Sequence, residues 1–485
     1  MRRAAILTAV AALLAGPTVL AFFSGGYFDK PRLIAAIAAC VLVLLVAMVV
    51  REPMPTSLSG LIALAGLASL TAWTGLSLLW APLAGAASDD LQRLLLYLAV
   101  MTAAAGLVRS KALLRAVEPA LAGGMVVVIG YGLAGRLLPG LVKLDAAVRA
   151  NGRLEQPLTY WNAEGVLAAM GLALCARLAG DVERSVVTRS LAAAACPLLG
   201  AGLYLSLSRG AMAAGAVGLC VLLALAPTRA QLRALGIAVS AAIAAAVCAS
   251  LFPGFESLDG PLGHREADGA AMLAILTVLA ASAAVASGWV AGGEQSGRLS
   301  IDRLAAAGRL PAVAVTLVAL TLLGLVVGGL REGGEVEVLG PRQSERLTSL
   351  ESRRYDYWRV AAENVVDQPV RGAGAGAFRV VWLRERPVPE AAADAHSLPL
   401  ETLLELGLVG LLALGLFVGG VGTSAARALS REPRVLVGGA AAGAIWLLHS
   451  TIDWTWEMPA VTLPALVIAG ALIASSEGPR PPSSH

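Results

Sequence analysis

The chain has 485 residues, of which 57% are hydrophobic and 14% are charged, and its formal net charge is +4. So apolar a composition excludes a soluble globular protein of this length and indicates a polytopic membrane protein. The positive charges are spread over many loops, without the dense basic stripe that nucleic-acid binding needs, so nucleic acid is excluded as a partner.

Apolar runs long enough to cross a bilayer as a helix recur along almost the whole sequence. We predict an all-α polytopic fold with about 14 transmembrane helices, in a range of about 12 to 14. The predicted spans lie near residues 4–23, 32–50, 57–80, 91–108, 116–138, 161–178, 190–206, 210–227, 233–252, 269–291, 310–330, 398–424, 435–451 and 459–475. The two runs that flank Arg209 can also be read as one broken span. Lys and Arg are enriched in the short loops that the arrangement with 14 spans places on the cytoplasmic side, which predicts that both termini are cytoplasmic.

The spans divide the chain into four predicted regions. These are an N-terminal transmembrane bundle at 1–330, a long extracytoplasmic loop at 331–397, C-terminal transmembrane helices at 398–475 and a cytoplasmic tail at 476–485. The five cysteines all fall in spans or at their ends, which argues against a disulfide framework. We expect no metal ion and no other cofactor, because no His-Glu-x-x-His motif, extracytoplasmic Asp-x-Asp pair or cysteine cluster occurs.

The long loop contains the segment "SLESRRYDYWRVAAENVVDQPVRGAGAGAF". Its first part predicts an amphipathic helix at the membrane surface, anchored by Trp358. The apolar face of this helix consists of Tyr357, Trp358, Ala361 and Val365. The neighbouring arginines Arg353, Arg354 and Arg359 either bind phosphate oxygens through their guanidinium forks or only reach lipid headgroups.

The glycines Gly372, Gly374 and Gly376 follow in "RGAGAGAF". Their spacing is superficially that of a dinucleotide-binding loop, but no strand precedes them and no βαβ unit surrounds them. We therefore predict a tight glycine turn that returns the chain to the membrane.

Two polar positions interrupt the apolar runs elsewhere. Arg209, in "LSRGAMAAG", is an ionisable residue between two spans, where it either belongs to a functional site or caps a hairpin among headgroups. Asn162 and Glu164 begin the sixth span, and both a substrate role and hydrogen bonds between helices remain open for them.

The segment "LLHSTIDWTWEMPA" holds further polar and aromatic residues near the C-terminus. His449 precedes Asp453 by four residues, so on a continuing helix the two would share a face and pair. Trp454 and Trp456 are typical of an interfacial aromatic belt, and the alternative is that they line a site.

His396, one of four histidines, lies in "DAHSLPLETLLELGLVG" immediately before a leucine-rich helix with Pro399 in its first turn. The positive end of the helix dipole disfavours an imidazolium and attracts anions. This position suits a neutral base beside a phosphate, although a histidine in a loop is more often structural.

The spacing of His396, Ser397, Gly407 and Gly410 resembles the His-[Asn/Ser]-x9-Gly-x-x-Gly signature of the O-antigen ligase and O-antigen polymerase superfamily. Three other segments resemble parts of that family in the same order. They are "GRLEQPLTYWNAEGVLAAM", "LSRGAMAAGAVGL" and "RYDYWRVAAENVVDQPVRGAGAGAF". The resemblance extends from roughly 150 to 415, and the rest of the chain agrees in hydropathy only.

The resemblance implies a metal-independent membrane glycosyltransferase of the GT-C type. Such an enzyme transfers a glycan from undecaprenyl diphosphate to an acceptor hydroxyl at the outer face of the bacterial cytoplasmic membrane. The family's histidine corresponds to His396, its loop arginine to Arg354 with Arg353 as the competing choice, and its Ser-Arg-Gly arginine to Arg209. A base at His396 and cations at Arg354 and Arg209 would then serve the diphosphate chemistry.

The same segments make Arg153, Asn162 and Tyr357 further possible site residues. The polymerases' Arg-x10-Gly pattern is not satisfied by the loop arginines, which favours a ligase over an O-antigen or capsule polymerase without deciding between them. A protein O-oligosaccharyltransferase shares the signature. A transporter or a non-catalytic scaffold are the alternatives from other classes, and they leave the ordered arginine and histidine positions unexplained.

Overall fold

The computed structural model describes residues 2–144, 150–256, 258, 260–293 and 353–477. All long regular elements in these ranges are α-helices. The predicted span near 310–330, the start of the long loop and most of the predicted tail lie outside the described residues.

The helices are numbered here in chain order. Helices α1 to α5 are Arg2–Ala21, Asp29–Val49, Leu58–Ser77, Ala84–Leu107 and Lys111–Leu137. Helices α6 to α11 are Trp161–Gly180, Val186–Leu205, Arg209–Leu225, Arg229–Ser250, Pro253–Glu256 and Leu262–Gly293. Helices α12 to α16 are Arg354–Asn364, Phe378–Glu385, Leu398–Arg431, Val437–Ser450 and Pro459–Ser476.

Among the described residues, 11 helices are long and apolar enough to cross a membrane, and α8 and α15 are shorter apolar helices. Every predicted span that falls on described residues coincides with one of these helices. The runs on either side of Arg209 form two separate helices, α7 and α8. The chain is therefore an all-α polytopic membrane protein.

The chain forms two compact units. The first unit consists of Met1–Val117, Ser352–Leu436 and Ser450–His485, and the second of Glu118–Glu351 and Val437–His449. The described part of the long loop thus belongs to the first unit, together with α1 to α4, α14 and α16.

Small residues allow close helix packing in the first unit. Helix α16 is buried along its whole length and packs on α4, where a Cβ atom added to Gly470 would lie 2.5 Å from the Ala104 side chain. Helices α3 and α14 also meet closely, because a Cβ atom on Gly420 would lie 2.5 Å from the Ala63 backbone nitrogen. Glycine and alanine at such contacts let the backbones approach within van der Waals distance.

The second unit is built around α6, which is buried along its whole length and packs on α7, α8 and α9. Helices α7 and α9 approach at Gly200, where an added Cβ atom would lie 2.5 Å from the Ala242 side chain. Near the end of α5, the buried guanidinium of Arg136 donates to the carbonyl oxygens of Gly152, Phe255 and Glu256. These bonds fix the loop that precedes α6 and the short α10.

Candidate active site

Helix α14 is broken at Gly407, whose φ of 64° and ψ of −164° are not helical. A break of this kind leaves backbone donors and acceptors without helical partners, and a buried break needs other partners. The segment 369–374 supplies them in four hydrogen bonds: Ala373 N to Leu404 O (2.9 Å), Gly374 N to Glu405 O (2.8 Å), Leu408 N to Pro369 O (2.9 Å) and Val409 N to Val370 O (3.3 Å). The glycine turn is thus docked into the broken helix.

The docking requires glycine both in the turn and at the break in α14. Gly372, Gly374, Gly376 and Gly407 all have positive φ, a conformation that other residues rarely adopt. A Cβ atom on Gly407 would lie 2.6 Å from the Gly372 nitrogen, and one on Gly374 would lie 2.5 Å from the Ala81 Cα. The tight turn predicted for "RGAGAGAF" is confirmed, and it packs directly on the glycine of the histidine signature.

The Glu405 side chain holds the end of the turn. Its carboxylate accepts hydrogen bonds from the backbone N–H groups of Gly376 and Phe378, both at 2.9 Å. Because Phe378 begins α13, the Glu405 oxygens satisfy N–H groups at the start of that helix, which have no partner within the helix. Glu405 therefore links the broken helix to the helix that follows the turn.

Helices α12 and α13 pack through a small apolar core. Its buried residues are Tyr357, Val360, Ala361, Phe378, Val381, Trp382, Ala395 and Leu404, and Trp358 and Val365 pack against them. Tyr357 and Ala361 of the predicted apolar face are therefore covered by α13 and the start of α14, whereas Trp358 and Val365 are only partly buried. Anchoring of α12 at the membrane surface by Trp358 stays a prediction.

His396 is held at the edge of this core. Its backbone has a positive φ of 56°, its Nδ1 lies 2.9 Å from the Asp394 carbonyl oxygen, and its ring centroid lies 5.1 Å from that of Tyr357. A carbonyl oxygen only accepts hydrogen bonds, so Nδ1 carries a proton, and in the neutral imidazole the lone pair is on Nε2. The sequence-predicted residues His396 and Tyr357 are thus in ring contact.

Burial lowers the pKa of His396 below its ordinary value of 6.5, the charge of Asp453 opposes this shift, and the charge of Arg354 adds to it. A lowered pKa keeps the imidazole neutral at neutral pH. The tautomer with a free Nε2 lone pair is the form that can accept a proton.

Arg354 forms an ion pair with Asp453, whose side chain is fully buried, while the Arg354 side chain is 25% exposed. The competing arginine, Arg353, pairs with Glu390 at 3.1 Å. The charges of both Arg354 and Asp453 shift the pKa of His396. Arg354 is therefore the loop arginine that lies in the electrostatic environment of the histidine. Its role in binding diphosphate stays a prediction.

Sequence reasoning misplaced Asp453. The continuing helix on which His449 and Asp453 would share a face is not present, because α15 ends at Ser450. The Asp453 carboxylate binds an arginine 99 positions earlier in the chain. No local pattern signals a pair so distant in sequence.

The Asp394 side chain is part of an acidic cluster. Carboxylate oxygens of Asp394, Glu401 and Glu457 lie within 4.8 Å of one another, and in the described part of the chain this is the group of side chains close enough to hold a metal ion. The buried Arg93 pairs with Glu457 and, at 2.6 Å, with Asp90. Its guanidinium already supplies positive charge to the cluster, so we assign no metal to it.

Burial raises the pKa of Glu457 to about 8, although Arg93 lowers it, and burial raises the pKa of Asp394 to about 6 against the same opposing charge. Carboxyl groups this close share protons at neutral pH rather than all being ionised. The backbone carbonyl that binds His396 therefore belongs to Asp394, a residue of this partly protonated cluster.

The remaining sequence-predicted residues belong to the second unit. Arg209 is the first residue of α8, which Ser208 caps by accepting a hydrogen bond from the Ala211 nitrogen at 3.3 Å. The Arg153 guanidinium lies 4.5 Å from the centroid of the Trp161 ring, a cation–π contact. These positions leave the predicted substrate roles of both arginines as predictions.

Asn162 and Glu164, at the start of α6, make local contacts. The Asn162 amide donates to the Tyr160 hydroxyl at 2.6 Å, and Glu164 accepts from the Leu158 nitrogen at 3.1 Å. Both bonds fix the loop before α6, and neither is one of the hydrogen bonds between helices that the non-catalytic alternative expected. A substrate role for Asn162 stays a prediction.

These features define the class. The chain is a polytopic membrane protein, and its candidate active site is a loop that carries His396 and a glycine turn docked on the broken helix α14. Within that class, residues 267–415 match the family model described as O-antigen ligase, just under a third of the chain. Over these residues the chain is similar to that family, and this supports the resemblance found in the sequence. The matched region contains His396 and Arg354 but not Arg209. No curated protein matches the chain.

Proposed function

We propose that the protein is a ligase-type glycosyltransferase that transfers a glycan from undecaprenyl diphosphate to an acceptor hydroxyl. The reaction takes place at the outer face of the bacterial cytoplasmic membrane, with both chain termini on the cytoplasmic side. The observation that carries this proposal is the neutral His396, whose Nδ1 is bound to a carbonyl oxygen and whose Nε2 is the basic nitrogen, beside the Arg354 guanidinium.

The transfer needs a base and a stabilised leaving group. His396 Nε2 accepts the proton of the acceptor hydroxyl as its oxygen forms a bond to the anomeric carbon of the glycan. The bond between that carbon and the phosphate oxygen breaks, and undecaprenyl diphosphate leaves with the electron pair. Arg354 binds the phosphate oxygens, and its fixed charge takes the role that a metal ion would otherwise have, so the reaction is metal-independent.

The test is transfer by purified variants with the host's lipid-linked glycan as donor. His396→Ala and Arg354→Ala are expected to lose at least about a hundredfold in rate, the usual contribution of a positioned base or an electrostatic contact. Arg359→Ala is the matched control, since Arg359 lies on the same helix, is 57% exposed and pairs only with the nearby Asp356 at 3.3 Å. Full activity of either site variant with a stable fold would refute the assignment.

Ligase and polymerase activities are separated in the host. Deletion of the gene leaves long lipid-linked chains if the enzyme is a ligase, because only the final transfer is lost. Single lipid-linked repeats accumulate instead if the enzyme is a polymerase. The description of the matching family, O-antigen ligase, favours the first result, and a glycosylated protein missing from the deletion strain would identify a protein acceptor.

A further inference from the structure

The loop between α1 and α2 is rich in aromatic residues, and one of them is oriented differently from the rest. Phe23 and Phe28 are each 58% exposed and Phe22 is 40% exposed, as expected for an interfacial aromatic belt. Tyr27 is only partly exposed, and its ring meets Trp454 edge to face, with centroids 5.3 Å apart. Tyr27 therefore lies between the belt and the site, because its ring also meets that of Phe28 edge to face, with centroids 5.4 Å apart.

Trp454 connects Tyr27 to the catalytic histidine. Its ring lies 6.3 Å from that of His396 at an interplanar angle of 69°, and its backbone nitrogen donates to the Asp453 carboxylate at 2.8 Å. The carboxylate that pairs with Arg354 thus also fixes Trp454. Trp454 is partly exposed.

The backbone of Tyr27 is also held by a buried charged side chain. The buried guanidinium of Arg32 donates to the Tyr27 carbonyl oxygen at 2.6 Å and forms an ion pair with Asp89 at 2.6 Å. The backbones of both partly exposed aromatic residues are therefore held by buried charged side chains, Arg32 of α2 and Asp453 of the loop after α15. A fixed ring binds a ligand at lower entropic cost than a mobile one.

Polar groups surround this aromatic pair. Burial, together with the charges of Asp394 and Glu457, raises the pKa of Tyr27 to about 12. Its hydroxyl is therefore a hydrogen-bond donor at neutral pH, and the carboxyl groups of Asp394 and Glu457 are close enough to act on it electrostatically. A pyranose ring has a face of C–H groups and a rim of hydroxyls, and this combination of aromatic rings, a donor and acceptors complements both parts.

We propose that Tyr27 and Trp454 form a pyranose-binding subsite beside His396. The inference rests on the proposed glycan transfer and assigns residues to the sugar itself rather than to the diphosphate. The sugar bound there is either the donor residue attached to the diphosphate or the acceptor residue that carries the hydroxyl. Both have the same chemistry, and the experiment separates them.

The test compares Trp454→Leu, which removes the aromatic face, with Trp454→Phe, which keeps one. Binding of two probes in detergent is measured: undecaprenyl diphosphate and undecaprenyl-diphosphate N-acetylglucosamine. Since an aromatic contact is worth a fraction of a kcal/mol to about 1.5 kcal/mol, Trp454→Leu is expected to weaken sugar-dependent binding about three- to tenfold and Trp454→Phe much less. Phe23→Leu is the matched control in the aromatic belt.

A loss confined to the sugar-bearing lipid assigns the subsite to the donor. An unchanged affinity for both lipids, with a raised KM for the acceptor, assigns it to the acceptor. Unchanged lipid affinities together with an unchanged acceptor KM in both Trp454→Leu and Tyr27→Leu would overturn the proposal. Failure of the proposed function looks different, because the wild-type protein would then bind the sugar-bearing lipid without transferring its glycan.

Discussion

Replacing Gly407 by alanine tests whether the docked glycine turn holds the candidate site together. Gly407 has a φ of 64°, and an added Cβ atom would lie 2.6 Å from the Gly372 nitrogen. The neighbours are backbone atoms, so they cannot rotate away as a flexible side chain would. Backbone strain of about 1–3 kcal/mol and the loss of at least one docking hydrogen bond, about 0.5–1.5 kcal/mol, predict destabilisation of about 2–4 kcal/mol.

This variant is assayed by thermal unfolding in detergent and by glycan transfer. We expect a melting temperature lower by about 5–15 °C, and transfer lower by at least about tenfold because the loop that carries His396 shifts. Gly415→Ala is the control on the same helix: a Cβ atom there meets nothing within 4 Å, and alanine favours the helix. Wild-type stability and transfer in Gly407→Ala would refute the idea that docking positions the histidine.

Two further predictions concern the histidine and its ion pair. Asp453→Asn removes the charge that pairs with Arg354, and transfer should fall about 10- to 100-fold because a charge-assisted hydrogen bond is worth about 1.5–3 kcal/mol; unchanged kcat/KM would show that the pair is only structural. Since the pKa of His396 is lowered from 6.5, the neutral base persists into mildly acidic solution, so kcat/KM should stay level above pH 7 and fall only as the pH drops below 6.5. Transfer that instead strengthens as the pH falls would identify His396 as a protonated phosphate ligand.

The helices were predictable because their signal is local. A bilayer sets the length of an apolar run, so each predicted span within the described residues coincides with a helix, from α1 to α16. The glycine turn was also predictable, since three alternating glycines without a preceding strand exclude a nucleotide-binding loop. The partner of that turn was not predictable, because it is a helix break some 30 residues further along the chain.

Contacts between residues far apart in the sequence could not be predicted from it. Arg354 was chosen by its spacing to Trp358, but nothing near it indicated Asp453, and Tyr27 lies more than 300 positions before the histidine that it approaches through Trp454. Aromatic residues in loops of a membrane protein read first as an interfacial belt, and Phe23 still fits that reading.

The signature spacing acquires a physical meaning from the broken helix. Nine residues between Ser397 and Gly407 are the first segment of α14, and Gly407 is where that segment ends and the glycine turn docks. The same segment carries Glu405, which holds α13, and α13 in turn packs against Tyr357 under the His396 ring. A histidine at one end of the segment and a glycine at the other are therefore two ends of one rigid support. A change of length between them should displace the base even if both residues are kept.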